Sequence, residues 1–205
     1  MGPNRQNQEE CNFMINDKCK KCRRAGEKLF LKGEKCFGPK CSLTRKPYAP
    51  GKFGKGKRKR PNRGLSEYGI QLRERQKLKF SYGLRERQFF NYLKEANKKG
   101  GGDTRAYLLM LFESRLDNVV FRLGFTDSRS QARQIISHGH IMVNNRKVNI
   151  SSFRTKIDDK ISIRPQSANK IIFKDLDIKL KKYNPPHWIN LDKEKKEGII
   201  ISNFK

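Results

Sequence analysis

The chain has 205 residues, 48 of them Lys or Arg against 20 Asp or Glu, giving a formal net charge of +28 and a sequence pI of about 10.2. Such an excess opposes compaction and exceeds what solubility asks for, so the implied partner is a polyanion, and nucleic acid is the obvious one. No apolar run approaches a membrane-spanning length and no secretory signal opens the chain, so the expectation is a soluble cytoplasmic protein whose five cysteines are not a disulfide framework.

Residues 1–18 are polar, carry Cys11, lack periodicity and read as a flexible extension. Two residues separate Cys19 from Cys22 and four separate Cys36 from Cys41, with thirteen between the pairs. Two short loops of this kind can set four thiolates around one ion, and the metal–sulfur bonds then replace a core too small to fold alone. All four positions are protein thiols, which leaves none for water, so the module at 19–46 is expected to be structural rather than catalytic. Zn2+ is the expected ion, and an iron–sulfur cluster takes the same donor set. Lys18, Lys20, Lys21, Arg23 and Arg24 crowd the first pair and favour thiolates.

Between Glu34 and Glu67 there is no acidic residue. The Pro- and Gly-rich segment 47–66 forbids a regular helix, and Lys57, Arg58, Lys59, Arg60 and Arg63 are expected to track phosphates in extended form once RNA is present. Ser66 is an N-cap for a helix running through Tyr68 to Phe80 and stopping at Gly83. Phe89, Leu93 and Ala96 mark a second helix, so 67–99 reads as a helical first domain, with Gly100–Gly102 as a hinge.

Leu108, Phe112, Leu116, Val119, Val120 and Leu123 form one stripe and predict a single long helix closed by Gly124, with Arg115, Asn118 and Arg122 on another face. Ser128 and Gln131 make a capping box for a short helix to about His138, with Ala132, Ile135 and Ile136 on its core face and Arg129 and Arg133 together on its flank. Alternation over 141–150 predicts a hairpin turning at Asn144 and Asn145, and 161–164 another strand, so 104–164 reads as a second domain. Beyond it, 171–180 is expected to be helical and Pro185, Pro186 and Trp188 to form a packed loop. Residues 165–205 are expected to return to the first domain.

Three blocks carry a resemblance: the cysteine module with KLFLKGEKCFGPKC, then SEYGIQLRERQKLKFSYGLRERQFFNYLKEA, then ESRLDNVVFRLGFTDSRSQARQIISHGHIMVNNRKV. With PPHWINLD they resemble the bacterial type of small-subunit ribosomal protein S-four over most of residues 19–192. Blocks like the third are also appended to pseudouridine synthases, a tyrosyl-tRNA synthetase and heat-shock RNA binders, and the second block singles out the ribosomal family.

The resemblance implies an α+β protein: a mainly helical first domain with the metal module, and a second domain of helices packed on a small antiparallel sheet. It implies binding to a helical junction of small-subunit ribosomal RNA early in assembly, a place beside the path of incoming messenger RNA, contact with ribosomal protein S-five, and repression of its own messenger. It places the RNA face of the second domain on the short helix and hairpin, here Arg115, Arg122, Arg129, Arg133, His138, His140, Arg146 and Lys147. In the first helical region Arg73, Arg75, Lys77, Arg85 and Arg87 are added on charge. A metal-containing regulator acting on messenger outside the ribosome, and an RNA-modifying enzyme anchored by the third block, are the alternatives. The enzyme is disfavoured because the remaining residues hold no phosphate-cradling glycine motif and no acid pair.

Overall fold

The computed structural model describes residues 18–51 and 66–202, which fall in two compact units, Met1–Leu84 and Arg85–Lys205. The first unit contains α1 (residues 18–25), a 3-10 turn over Gly33–Cys36, α2 (Ser42–Arg45) and α3 (Glu67–Ser81). The Ser66 hydroxyl accepts from the Gly69 N–H at 3.2 Å and starts α3. At the other end Gly83, with φ of 62°, lets Leu84 N donate back to Lys79 O at 3.0 Å. No residue of α3 is buried, so side-chain ties hold this unit more than a core does. Arg23 Nε donates to the carbonyls of Lys46 and Tyr48 at 3.1 and 3.0 Å with its guanidinium over the Tyr48 ring, and Lys77 reaches Glu27 at 2.6 Å.

The second unit runs α4 (Glu86–Lys99), α5 (Thr104–Glu113), α6 (Leu116–Arg122), α7 (Arg129–Ser137), β1 (Ile141–Val143), β2 (Arg146–Lys147), β3 (Lys160–Ile163), α8 (Leu176–Lys182), β4 (Ile189–Asp192) and β5 (Glu197–Ile200). The five strands form one antiparallel sheet in the order β2-β1-β3-β5-β4. Its core joins Leu116, Val119, Val120 and Leu123 of α6 to Ala132, Ile135 and Ile136 of α7, Ile141 and Ile161 of the sheet, and Phe173, Leu180 and Trp188 of the C-terminal stretch. The turn between β1 and β2 has Asn144 and Asn145 at φ of 49° and 63°, the two left-handed residues that the alternation predicts.

The structure departs from the sequence reading in three places. The division falls between Leu84 and Arg85, not at the glycines, because Phe89 and Tyr92 of α4 pack on Phe112 of α5 at 5.8 and 5.6 Å between ring centroids. The long helix expected over 108–123 is two, broken at Ser114 and Arg115. There residues 151–155 enter: Leu116 N donates to Phe153 O at 2.8 Å, Asp117 N to Ser151 O at 3.1 Å, and Thr155 N to Ser114 O at 2.9 Å. The C-terminal segment, expected with the first domain, lies within the second unit, where β4 and β5 extend the sheet beyond β3.

Candidate nucleic-acid interface

In the second unit, one face of the α5–α7 region gathers arginines over buried acceptors. Glu113 is 1% exposed and takes Arg122 in a two-pronged pair, Nε to Oε2 at 3.1 Å and Nη2 to Oε1 at 2.9 Å, while Asn118 Nδ2 donates to Oε2 at 2.6 Å. The Asn118 side-chain oxygen accepts from Arg129 Nε at 2.7 Å, and the Arg129 guanidinium lies 4.7 Å from the Phe121 ring centroid. Asp117, 2% exposed, accepts from Arg133 Nε at 3.1 Å. Arg122 and Arg133 keep about a third of their side chains exposed, so buried carboxylates fix their stems while their outer surface faces solvent.

Arg115 is a correction. It is 2% exposed, donates from Nε and Nη2 to Asp117 at 3.1 and 3.0 Å and from Nη1 to the Tyr92 hydroxyl at 2.7 Å, and so is a core strut rather than a contact for RNA. Burial opposes its charge, but the Asp117 carboxylate and Tyr92 outweigh it and hold the guanidinium above its ordinary range. His140 is a second correction: it is buried, with Nδ1 3.0 Å from Ser167 Oγ and its ring edge-on to Phe173. Burial, with the charges of Lys170, His138, Arg164 and Lys147, pulls its pKa below 6.5.

His138, Arg146 and Lys147 are exposed. Lys147 passes so close to Gly139 that a β-carbon there would stand 2.2 Å from Lys147 Cε, which brings the hairpin against the end of α7 and makes one face of the two. Asn144 fixes the hairpin to β3, donating to Asp159 at 2.8 Å and accepting from Lys160 N at 2.9 Å. Arg85 and Arg87 are exposed at the start of α4. In the first unit Arg73 is exposed and Arg75 half-buried. Lys77 instead bridges Glu27 and Glu74 at 2.6 and 2.7 Å, which raises its pKa and makes it an internal tie. Lys57, Arg58, Lys59, Arg60 and Arg63 lie outside the described residues, as does Cys11.

Cys19, Cys22, Cys36 and Cys41 are free thiols, the middle two buried, and Cys36 Sγ accepts from Lys32 N at 3.4 Å. Burial pushes the Cys22 thiol up, against a backbone hydrogen bond at Leu29, and the charges of Cys36, Cys19 and Cys41 push it further, which marks the four as neighbours. Burial also works against Cys41 as thiolate, but the backbone of Thr44 and Leu43, the Thr44 hydroxyl and the charge of Lys28 bring its pKa below the usual thiol range. Among the described residues no group of three or more His, Cys, Asp or Glu stands in a geometry that could hold a metal ion. The donor chemistry of four thiols is right for a thiophilic ion.

The sequence reading missed Glu113 and Asp117 and placed Asn118 only on the polar face, and these three decide what the arginines do. Arg129 and Arg133 meet their acceptors across 11 and 16 residues, beyond any helical periodicity. Arg115 and Asp117 are two apart, a spacing that does not share a helix face, and they meet only because Arg115 precedes α6 in extended conformation, φ −72° and ψ 136°.

Residues 14–113 match the family described as Ribosomal protein S4/S9 N-terminal domain, and residues 114–161 match the S4 domain. The small ribosomal subunit protein uS4 of Syntrophomonas wolfei is 46% identical over 186 residues, covering 90% of this chain and 86% of the relative. That of Thermus thermophilus is 48% identical over 189 residues, 91% and 87% of the two chains, and that of a Thermoanaerobacter species is 50% identical over 185 residues, 90% and 85%. With both domains matched in tandem and this identity sustained over nine-tenths of its length, the chain belongs to the bacterial uS4 family of ribosomal proteins.

Proposed function

We propose that the chain is a structural protein of the small ribosomal subunit in the cytoplasm, binding small-subunit ribosomal RNA and catalysing nothing. The observation that carries this is the sustained identity to proteins named small ribosomal subunit protein uS4. The net charge of +28 supports it, as does an arginine face set by buried acids, since phosphate contacts drive association by counterion release and fix the register of a bound RNA. The RNA partner is a helical junction bound early in assembly. The family resemblance adds neighbouring subunit proteins, ribosomal protein S-five among them, the path of incoming messenger RNA, and repression of its own messenger.

RNA contacts come from each unit: Arg122, Arg129, Arg133, His138, Arg146 and Lys147, with Arg85 and Arg87 at the start of α4, in the second, and Arg73 and Arg75 of α3 in the first, while the basic run Lys57, Arg58, Lys59, Arg60 and Arg63 adds phosphate contacts. Cys19, Cys22, Cys36 and Cys41 hold a structural Zn2+; their paired spacing and the mutual influence of their thiols support this.

Sedimentation with small subunits, together with binding titrations, tests the reading. Changing Arg146 and Lys147 to Glu should weaken affinity for a small-subunit ribosomal RNA transcript far more than changing Lys193 and Lys195 to Glu, although the formal charge change is the same. Equal losses would show diffuse attraction without a defined face, and absence from small subunits would refute the ribosomal assignment.

A further inference from the structure

We propose that Phe30 and Phe37 form a stacking platform for an unpaired nucleobase of the small-subunit ribosomal RNA, an inference that rests on the RNA-binding reading above. The two ring centroids are 4.8 Å apart with planes inclined by 31°, a tilted contact within the distance range of aromatic pairs. Yet the pair is not in a core: Phe37 is 74% exposed and Phe30 45%. An aromatic ring gains most by leaving water, so two of them packed on each other and held out in solvent suit a ligand that completes their burial.

The backbone holds them there. Phe30 has φ of 48°, in the left-handed region that bulky residues seldom adopt, and its carbonyl accepts from Gly33 N at 3.5 Å. Phe37 N donates to Glu34 O at 3.0 Å, closing the 3-10 turn, and Phe37 follows Cys36, whose buried sulfur accepts from Lys32 N. A bulky residue kept in this conformation while it stays 45% exposed is the kind of local strain that gathers at binding sites.

The surroundings select the occupant. Residues 28–40 carry Lys28, Lys32, Lys35 and Lys40 against Glu34 as the single acid. An apolar protein surface docking here would strip water from those amines without replacing it. A nucleotide supplies a π face for the ring and a phosphate for the lysines, and recognition of unpaired RNA commonly takes this form. Several other aromatic rings are already faced by the protein's own cations: Phe80 by Lys21 and Lys79 at 5.2 and 5.0 Å, Tyr48 by Arg23 at 4.7 Å, and Phe121 by Arg129 at 4.7 Å. Phe37 has an aromatic partner behind it instead, which leaves a π surface to offer.

The test compares full-length wild type, Phe37→Leu and Phe37→Trp for binding to a small-subunit ribosomal RNA transcript at several salt concentrations. Phe37→Leu should bind about fivefold to a hundredfold more weakly, the range expected for one lost base–aromatic stack. Its slope of log affinity against log salt should not change, because no phosphate contact is removed. Phe37→Trp should restore affinity, and its added indole emission should be quenched by the RNA. Wild-type affinity in Phe37→Leu overturns the proposal, and so does a loss that Phe37→Trp fails to restore, which would make the pair a structural element of the cysteine module. Unchanged RNA affinity with defective entry into small subunits overturns it too, by assigning the rings to a protein neighbour. A wild-type chain that does not prefer this transcript over unrelated RNA refutes the ribosomal reading itself, a failure visible before any variant is compared.

Discussion

Removing Asp117 should destabilise the second unit more than removing Glu113: both are buried carboxylates, but Glu113 holds Arg122 while Asp117 holds both Arg115 and Arg133. The difference lies in what is left behind. In Glu113→Ala, Arg122 has about a third of its side chain in solvent and can turn to water, and Asn118 keeps the Glu113 carbonyl at 3.1 Å. In Asp117→Ala, Arg115 stays buried with its side chain 3% exposed, and it keeps the Tyr92 hydroxyl while its charge goes uncompensated. Breaking a buried ion pair from one side costs about 3–5 kcal/mol, so Asp117→Ala should fall at the upper end and Glu113→Ala at or below the lower. For a unit of this size that is a fall in Tm on the order of 15 °C for Asp117→Ala.

Urea unfolding of the full chain, followed by the fluorescence of Trp188, reads this unit directly, since Trp188 is the one tryptophan of the sequence and is 3% exposed in its core. Adding Arg115→Met to Asp117→Ala should recover about 2 kcal/mol, because an apolar side chain of similar length needs no counter-charge. Equal costs for the two single substitutions, or further loss on adding Arg115→Met, would refute the claim that the stranded guanidinium sets the magnitude. Should Asp117→Ala be unfolded from the outset, Asp117→Asn should rank the same way against Glu113→Gln.

Gly198→Ala should cost about 1–3 kcal/mol, because a β-carbon on β5 would stand 2.1 Å from Leu123 Cδ2 in the core; unfolding in urea checks it, and a neutral outcome would mean that the sheet can slide off α6. Stability should also fall on acidification below about pH 6.5: the folded chain holds His140 below that value, so the unfolded chain binds the proton first, and the contribution present above pH 6.5 is lost as pH drops toward the folded pKa. His140→Gln should flatten the stability profile between about pH 7.5 and 5.5, and a wild-type profile already flat there would contradict the assignment. Serine at both Cys36 and Cys41 should abolish bound metal and unfold the first unit while the Trp188 transition is unchanged; a folded, metal-free wild-type protein would refute the zinc reading.

Local chemistry was legible in the sequence wherever the structure rests on neighbours along the chain. Ser66 and Ser128 cap α3 and α7 as their positions imply, although Gln131 reaches back to Asp127 N at 3.2 Å rather than to Ser128 N. The core face of α7 and the turn at Asn144 and Asn145 were equally plain. The break between α5 and α6 was not, because the apolar stripe runs through it in helical register, and the cause lies in hydrogen bonds to residues 151 and 153. Strands β4 and β5 carried weak signals. The turn between them, Lys193 to Lys196, is charged and has no glycine; Asp192 Oδ1 accepts from Glu194 N and Lys195 N at 3.1 Å, while Lys196 takes the positive φ of 54°. A four-residue charged link between two short apolar stretches reads as loop.

The same logic explains why a strongly basic protein buries acids beneath its proposed RNA face. Glu113 and Asp117 lower the local charge, which alone should weaken attraction for phosphate. They also fix long side chains before the ligand arrives, and immobilising a rotamer-rich side chain at an interface costs about 0.5–1.5 kcal/mol. For Arg122, Arg129 and Arg133, held through Glu113, Asn118 and Asp117, that cost is met largely in folding, and a guanidinium with its plane already set can present a fixed edge to a phosphate. Long-range attraction comes from the whole +28 charge, which two carboxylates scarcely change. The acids therefore give up little encounter rate and gain orientation, so variants such as Glu113→Gln should act on the dissociation rate of the RNA complex far more than on association, a split that stopped-flow binding resolves and that an equal effect on both rates would refute.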